Sequence, residues 1–158
     1  MLQIVNIANC KCSRQKDDIL VTYSLGSCLG VAIYDLQEKI GGLAHFPLPS
    51  IKDSLSKNSF NLYEFVDVGF DSLLSEIYKL GGRKENLIIK VAGGASIWNN
   101  SNIFNIGKKN IAMLEKCIIN NKLKIFARDI AGNLARTMYL YIDDGTIMIK
   151  TSKGTYYL

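Results

Sequence analysis

Residues 21–35 read Val21-Thr22-Tyr23-Ser24-Leu25-Gly26-Ser27-Cys28-Leu29-Gly30-Val31-Ala32-Ile33-Tyr34-Asp35. Leu36-Gln37-Glu38 follows, then Lys39-Ile40-Gly41-Gly42-Leu43-Ala44-His45-Phe46-Pro47-Leu48-Pro49. Two apolar runs, Cys28 to Tyr34 and Lys39 to Phe46, are rich in strand formers and flank a short polar break, which predicts a β-hairpin. Closed as a two-residue loop at Leu36-Gln37, the hairpin pairs Asp35 with Glu38 and sets Cys28 opposite His45. Opposed residues of an antiparallel pair share a face, with Cβ atoms roughly 4.5–5.5 Å apart, within reach for a thiol and an imidazole. His45 is the only histidine in the chain. A three-residue loop, or a bulge at Gly41-Gly42, shifts the register by one and turns one of the two side chains away.

The residues just before Cys28 suit a nucleophile. Gly26 can take positive φ, and the backbone N–H groups of the Gly26-Ser27 turn are the donors an oxyanion needs. A histidine beside the thiol would favour the thiolate. From the residues alone, the plainer reading of Cys28 and His45 is a core cysteine and a satisfied histidine.

Outward from this stretch, Met1 to Ala8 alternates as a first strand and Cys10 to Lys16 reads as polar connector. Asp18 to Ser24 is a strand with Leu20 and Thr22 on one face. Thr22 meets the Cys28 and His45 face if the chain turns back at Leu25-Gly26-Ser27. Pro47 to Asn61 is a polar loop leaving the His45 strand, placed as a lid or a surface excursion. Tyr63 to Leu80 carries Val66, Phe70, Leu73, Leu74, Ile77 and Leu80 at helical spacing and stops at Gly81-Gly82. Leu87 to Ala92 is a strand ending in Gly93-Gly94, and a polar segment from Trp98 to Asn105 follows. A helix spans about Lys108 to Asn120, then a strand Lys122 to Ile130. The chain closes with a hairpin, Thr137 to Ile142 and Thr146 to Thr151, around Asp143-Asp144-Gly145. Strands at both ends with two helices between predict an α+β class.

At 158 residues and 48% hydrophobic, the chain has the size of one domain that buries its own core, residues 1–158. No apolar run approaches a membrane span, so a cytoplasmic location is expected. The four cysteines, Cys10, Cys12, Cys28 and Cys117, have no framework spacing. A lone Cys10-x-Cys12 lacks the paired ligand spacing of a structural zinc site, and no metal or cofactor is expected. Between Lys79 and Arg128 ten basic residues face two acidic ones, Glu85 and Glu115. That excess suits nucleic acid, an anionic membrane surface or an acidic protein, or is only a solvated face. No nucleic-acid motif accompanies it, so nucleic acid is not expected as a partner.

The motifs together resemble the chemoreceptor glutamine deamidases, the CheD family. The resemblance rests on Gly26-Ser27-Cys28 with Thr22 before it, and on Gly41-Gly42-Leu43-Ala44-His45-Phe46 after the turn. It continues through Val91-Ala92-Gly93-Gly94-Ala95, Ile106-Gly107-Lys108-Lys109-Asn110 and Asp129-Ile130-Ala131-Gly132-Asn133. Pro47, Ala92, Ala131 and Ala135 depart from the family's pattern. The resemblance implies a β-sandwich-like core with flanking helices and a catalytic triad at Cys28, His45 and Thr22, with Gly26 and Ser27 as backbone support. The implied reaction is hydrolysis of receptor glutamine amides to glutamate and ammonia, in the class of protein-glutamine glutaminases. Its implied partners are the cytoplasmic helices of chemotaxis receptors and a CheC-type phosphatase; Lys108 and Lys109 are the candidate contacts for an acidic partner. The alternative is a non-catalytic regulatory partner of that phosphatase or of the receptors.

Overall fold

The computed structural model describes residues 1–53, 61–97 and 105–158. Among these residues ten strands form two five-stranded sheets, and two α-helices cover the outer face of one of them. In the first sheet, β1 (Leu2–Ile4) runs parallel to β3 (Ile19–Leu25), followed by β8 (Arg136–Tyr141), β9 (Ile147–Thr151) and β10 (Gly154–Tyr157). The second sheet runs β2 (Asn9–Ser13), β5 (Ile40–Phe46), β4 (Leu29–Asp35), β6 (Leu87–Gly93) and β7 (Ile125–Ile130). The expected α+β class and sandwich of mixed sheets are what the chain forms.

Burial explains the sequence texture. All seven residues of β4 and all seven of β5 are buried. Their sheet is covered on both faces, so the strands read as near-continuous apolar runs. β8 instead alternates buried and half-buried residues, as a strand with one solvated face must. Helix α1 (Val66–Lys79) lays Val66, Phe70, Leu73, Leu74 and Ile77 on β5 and β2. Each such side chain contributes about 1.5–3 kcal/mol when fully buried. The helix starts three residues later than the periodicity suggests, because Phe65 is still extended and a 3-10 turn occupies Leu62–Glu64. Helix α2 (Ile106–Asn120) packs on α1 through a stripe that includes Leu114, Cys117 and Ile118.

Three expectations change. The segment read as polar connector contains β2, whose Cys10 and Cys12 pack against the helix-side core while β2 pairs with β5. β10 was not expected; all four of its residues are exposed, so no burial pattern marks it. The hairpin turn spans Leu36 to Lys39, which pairs Asp35 with Ile40 and Gly30, rather than Cys28, with His45. Asp35 sets this turn. Its buried carboxylate accepts from the backbone N–H groups of Gln37 at 2.8 Å, Glu38 at 2.9 Å and Arg83 at 2.7 Å. Lys39 closes the turn at φ 53°.

The ladder runs unbroken through Gly41 and Gly42, so neither marks a bulge. Both are glycine because the strand is pressed from two sides. A Cβ on Gly41 would lie 2.6 Å from Ile142, just past β8 of the opposite sheet, and one on Gly42 2.7 Å from the Cys12 sulfur.

Candidate active site

The site lies at one end of the layer between the two sheets. His45 sits near the end of β5 and is buried at 3% exposure. Thr22 comes from β3 of the other sheet and is wholly buried. Its Oγ1 lies 2.7 Å from His45 Nδ1 and 2.8 Å from the carbonyl oxygen of Val5. A carbonyl only accepts, so the threonine proton goes to Val5 and the hydroxyl accepts from His45 Nδ1–H. This chain fixes the tautomer: Nδ1 carries the proton and Nε2 keeps a lone pair. Nε2 is buried and makes no hydrogen bond among the described residues.

Thr22 reaches His45 by stacking of the two sheets, rather than by a hairpin-like return at Leu25-Gly26-Ser27. β3 pairs with β8 through Thr22 and Met138, then slips before Leu25, with Ser24 at φ 58°. That irregularity lets Leu25 re-enter the core and delivers the Gly26-Ser27-Cys28 turn to the start of β4.

Cys28 is half-buried and packs against the inter-sheet cluster. With Gly30 opposite His45, Cys28 lies two residues along the same face, a diagonal neighbour roughly 7–8 Å away before side chains lean together. The two-residue difference from the expected register keeps the parity, so the shared face is preserved. No hydrogen bond joins Cys28 to His45. Burial pushes the Cys28 thiol up, partly offset by its own backbone N–H, and burial pushes His45 down to about 4. The expected thiolate is therefore not the resting form; the pair rests as neutral thiol and neutral imidazole.

The backbone around Cys28 is clamped. Ala95 N–H donates to the carbonyl of Gly26 at 2.8 Å, and Gly94 N–H to that of Cys28 at 2.9 Å. Asn110, fully buried on α2, donates through Nδ2 to the carbonyls of Ser27 at 2.9 Å and Pro47 at 3.1 Å. The N–H groups of Ser27 and Cys28 make no backbone hydrogen bond among the described residues. Gly93, at φ 111°, must be glycine, since a Cβ there would stand 2.1 Å from the Cys28 carbonyl oxygen. The sequence reading singled out neither Gly93 nor Asn110 for a role. A signal existed for Asn110: it is the polar member of the buried stripe of α2.

Of the departures from the family's pattern, Pro47 costs the clamp nothing, because what Asn110 takes from that position is the carbonyl. Ala131 adopts φ 64° where glycine would be unstrained. Arg136 follows Ala135 and clasps the same turn, bonding Asp129 and the carbonyls of Ala131 and Leu134. Lys108 and Lys109 are exposed in the first turn of α2, and Lys108 lines a cleft of about 250 Å³ with Gly94, Ser96, Asn105 and Gly132. No cluster of three metal-ligating side chains occurs among the described residues. Residues 54–60 of the loop expected as a lid, and 98–104 of the polar segment before α2, lie outside the described residues.

Residues 47–151 match the family model described as CheD chemotactic sensory transduction. The chain belongs to the CheD family. The match begins two residues after His45, but similarity to individual CheD proteins extends across the site. A probable chemoreceptor glutamine deamidase CheD 1 of Syntrophus aciditrophicus (strain SB) is 43% identical over 96% of this chain and 94% of its own length. A probable chemoreceptor glutamine deamidase CheD of Caldanaerobacter subterraneus subsp. tengcongensis is 37% identical over 93% of this chain and 91% of its own. A CheD 1 of Methanosarcina acetivorans, named in the same way, is 40% identical over 94% and 91%. No helix among the described residues of this CheD family member is long and apolar enough to cross a membrane.

Two expected results follow from the site's burial. Thr22→Val keeps the β-branched shape but strips partners from Val5 and His45; kcat falls by roughly one to two orders of magnitude and stability by about 1–3 kcal/mol. Thr22→Ser restores most of both, as kinetics and denaturant melts will show. His45 is the source of an acid-sensitive step in stability. Its folded pKa of about 4 lies below the ordinary 6.5, so the unfolded chain binds the proton first as pH falls. The His45 contribution, about 3 kcal/mol, is complete above pH 6.5 and is lost as pH falls toward 4. Asp35 is buried and Asp129 half-buried, which raises a carboxyl's pKa, but their hydrogen bonds prevail and hold them low; they lose their contributions only below about 3.8. Denaturant midpoints between pH 7 and 4.5 should therefore fall in the parent and much less in His45→Gln.

Proposed function

We propose that this protein deamidates selected glutamines on the cytoplasmic helices of chemoreceptors, converting them to glutamate and releasing ammonia, with Cys28, His45 and Thr22 as its catalytic set. The observation that carries the proposal is the Val5–Thr22–His45 chain of hydrogen bonds. It leaves a buried, unpaired Nε2 on the face that bears Cys28, in a chain whose relatives are named as deamidases.

In this reading, Nε2 takes the Cys28 proton as the sulfur attacks the carboxamide carbon, and the carbonyl π electrons move onto oxygen. The N–H groups of Ser27 and Cys28 hold that oxyanion; the positive φ expected in this stretch at Gly26 falls at Ser24 instead. Collapse breaks the C–N bond, and the nitrogen leaves as ammonia with the proton from His45. An imidazolium in surroundings that favour the neutral ring is a strong acid, which suits this donation. Water then loses a proton to neutral Nε2 and adds to the thioester; glutamate departs and Cys28 regains its proton. Thr22 touches no reacting atom and keeps Nδ1–H in place throughout.

Lys108 and Lys109 support a protein substrate rather than free glutamine. The first turn of α2 has no acidic residue, and cations there oppose the helix dipole at a cost of roughly 0.3–1 kcal/mol each. They serve an acidic partner better than they serve the helix. On family membership alone, a CheC-type phosphatase is the second proposed partner.

The test is mass spectrometry of a purified chemoreceptor cytoplasmic fragment after incubation with the protein. Target glutamines should gain about 1 Da as NH₂ becomes OH, and the rate should fall with rising salt as screening shortens the reach of exposed charges. An unmodified fragment would remove the proposal; a salt-independent rate would remove Lys108 and Lys109 from recognition.

A further inference from the structure

The peptide between Ser27 and Cys28 has one carbonyl and one N–H, fixed in opposite directions by the planar trans bond. Whatever holds the Ser27 carbonyl therefore aims the Cys28 N–H. The flanking carbonyls, of Gly26 and Cys28, are held by backbone donors from the Gly94-Ala95 segment. The middle one is held by a side chain, Asn110 Nδ2, at 2.9 Å. The same NH₂ group reaches the Pro47 carbonyl at 3.1 Å, two residues after His45. Both partners are carbonyls that only accept, so the amide can be oriented only one way. Its Oδ1 is left buried with no partner among the described residues. A side chain that keeps an unpaired acceptor so as to place both donors is specified by those donors.

We propose that Asn110 is a positioning residue for this reaction: by holding the Ser27 carbonyl it aims the Cys28 N–H at the developing oxyanion, and by holding Pro47 it keeps the segment after His45 in register with that turn. This rests on the deamidase reading and adds a residue to it. Asn110 touches no reacting atom. Its effect is felt where charge develops on the substrate oxygen, after the sulfur has attacked. Binding of the receptor does not depend on it, and the acidity of the thiol, set first by burial, depends on it little.

The experiment compares the parent with Asn110→Leu, which keeps the volume and removes both donors, and with Asn110→Asp, which offers at most one donor to two carbonyls. Deamidation of the receptor fragment is measured alongside alkylation of Cys28 by iodoacetamide, a reaction that needs the thiolate and no oxyanion donor. The expected result for Asn110→Leu is a kcat lower by about 10²-fold, the usual loss for one oxyanion donor, with KM and the alkylation rate within about twofold of the parent. Asn110→Asp keeps a folded chain if leucine does not, and its kcat should fall at least about tenfold with the same unchanged alkylation. A folded variant of either kind with parental kcat overturns the proposal. So does a joint fall in kcat and alkylation, which would make Asn110 a prop for the whole turn. A parent that modifies no receptor glutamine removes the reaction and this role together, whereas an active parent with indifferent variants removes the role alone.

Discussion

Replacing Cys28 by alanine should lower deamidation of a receptor fragment by at least about 10³-fold while leaving the fold in place. The sulfur is half-buried at the edge of the inter-sheet cluster, so its loss opens little cavity, and the melting curve should stay close to that of the parent. His45→Ala should be as damaging for a different reason. The thiol's pKa is raised by burial, so at neutral pH almost none of it ionises without a base. Because sulfur and imidazole act in one proton transfer, the Cys28→Ala/His45→Ala double variant should be no slower than either single one. Losses that multiply in the double variant would mean two independent contributions, and the thiol–imidazole couple would have to be given up.

The second large effect is expected at Gly93. Its φ of 111° is poorly tolerated by other residues, and an added Cβ would meet the Cys28 carbonyl oxygen at 2.1 Å. The oxygen cannot yield without breaking the 2.9 Å bond from Gly94 N–H that holds the nucleophile's backbone. A displacement of the order of 1 Å at a reacting group costs about 10²-fold in rate, and the backbone strain adds about 1–3 kcal/mol of instability. Gly132→Ala is the matched control. Its φ is also positive, at 71°, but nothing among the described residues stands within 4 Å of the new Cβ. It should lose about 1 kcal/mol and keep its kcat. Melting temperatures and kcat for the pair separate the clash from the conformational penalty; parental turnover in Gly93→Ala would show that the clamp is not needed.

Much of this was legible in the residues, and what was not has physical causes. The hairpin and both helices followed from local pattern, since apolar periodicity reports burial on a given face. The turn between β4 and β5 was misjudged by two residues because Asp35 draws Gln37 and Glu38 onto its carboxylate and Lys39 takes a left-handed conformation. The error was even, so Cys28 and His45 stayed on one face; an odd error would have separated them. β2 was hidden because its inward residues are cysteines between polar neighbours, and β10 because it buries nothing. The bond from Thr22 to His45 joins strands of different sheets and depends on how the layers stack, which no periodicity encodes. The grip of Asn110 on Ser27 spans 83 residues of chain and could be suspected only as a polar residue in an apolar stripe.

The central claim is that the amide is cleaved through a covalent thioester on Cys28, and hydroxylamine tests it most directly. A thioester is attacked by hydroxylamine in competition with water, whereas a direct attack of water on the amide leaves nothing to intercept. With the reagent present, the account predicts glutamyl hydroxamate, about 16 Da above glutamine, at the target positions alongside glutamate. The hydroxamate share should rise with hydroxylamine and vanish in Cys28→Ala. Glutamate alone at every hydroxylamine concentration, or hydroxamate formed equally by Cys28→Ala, would contradict it.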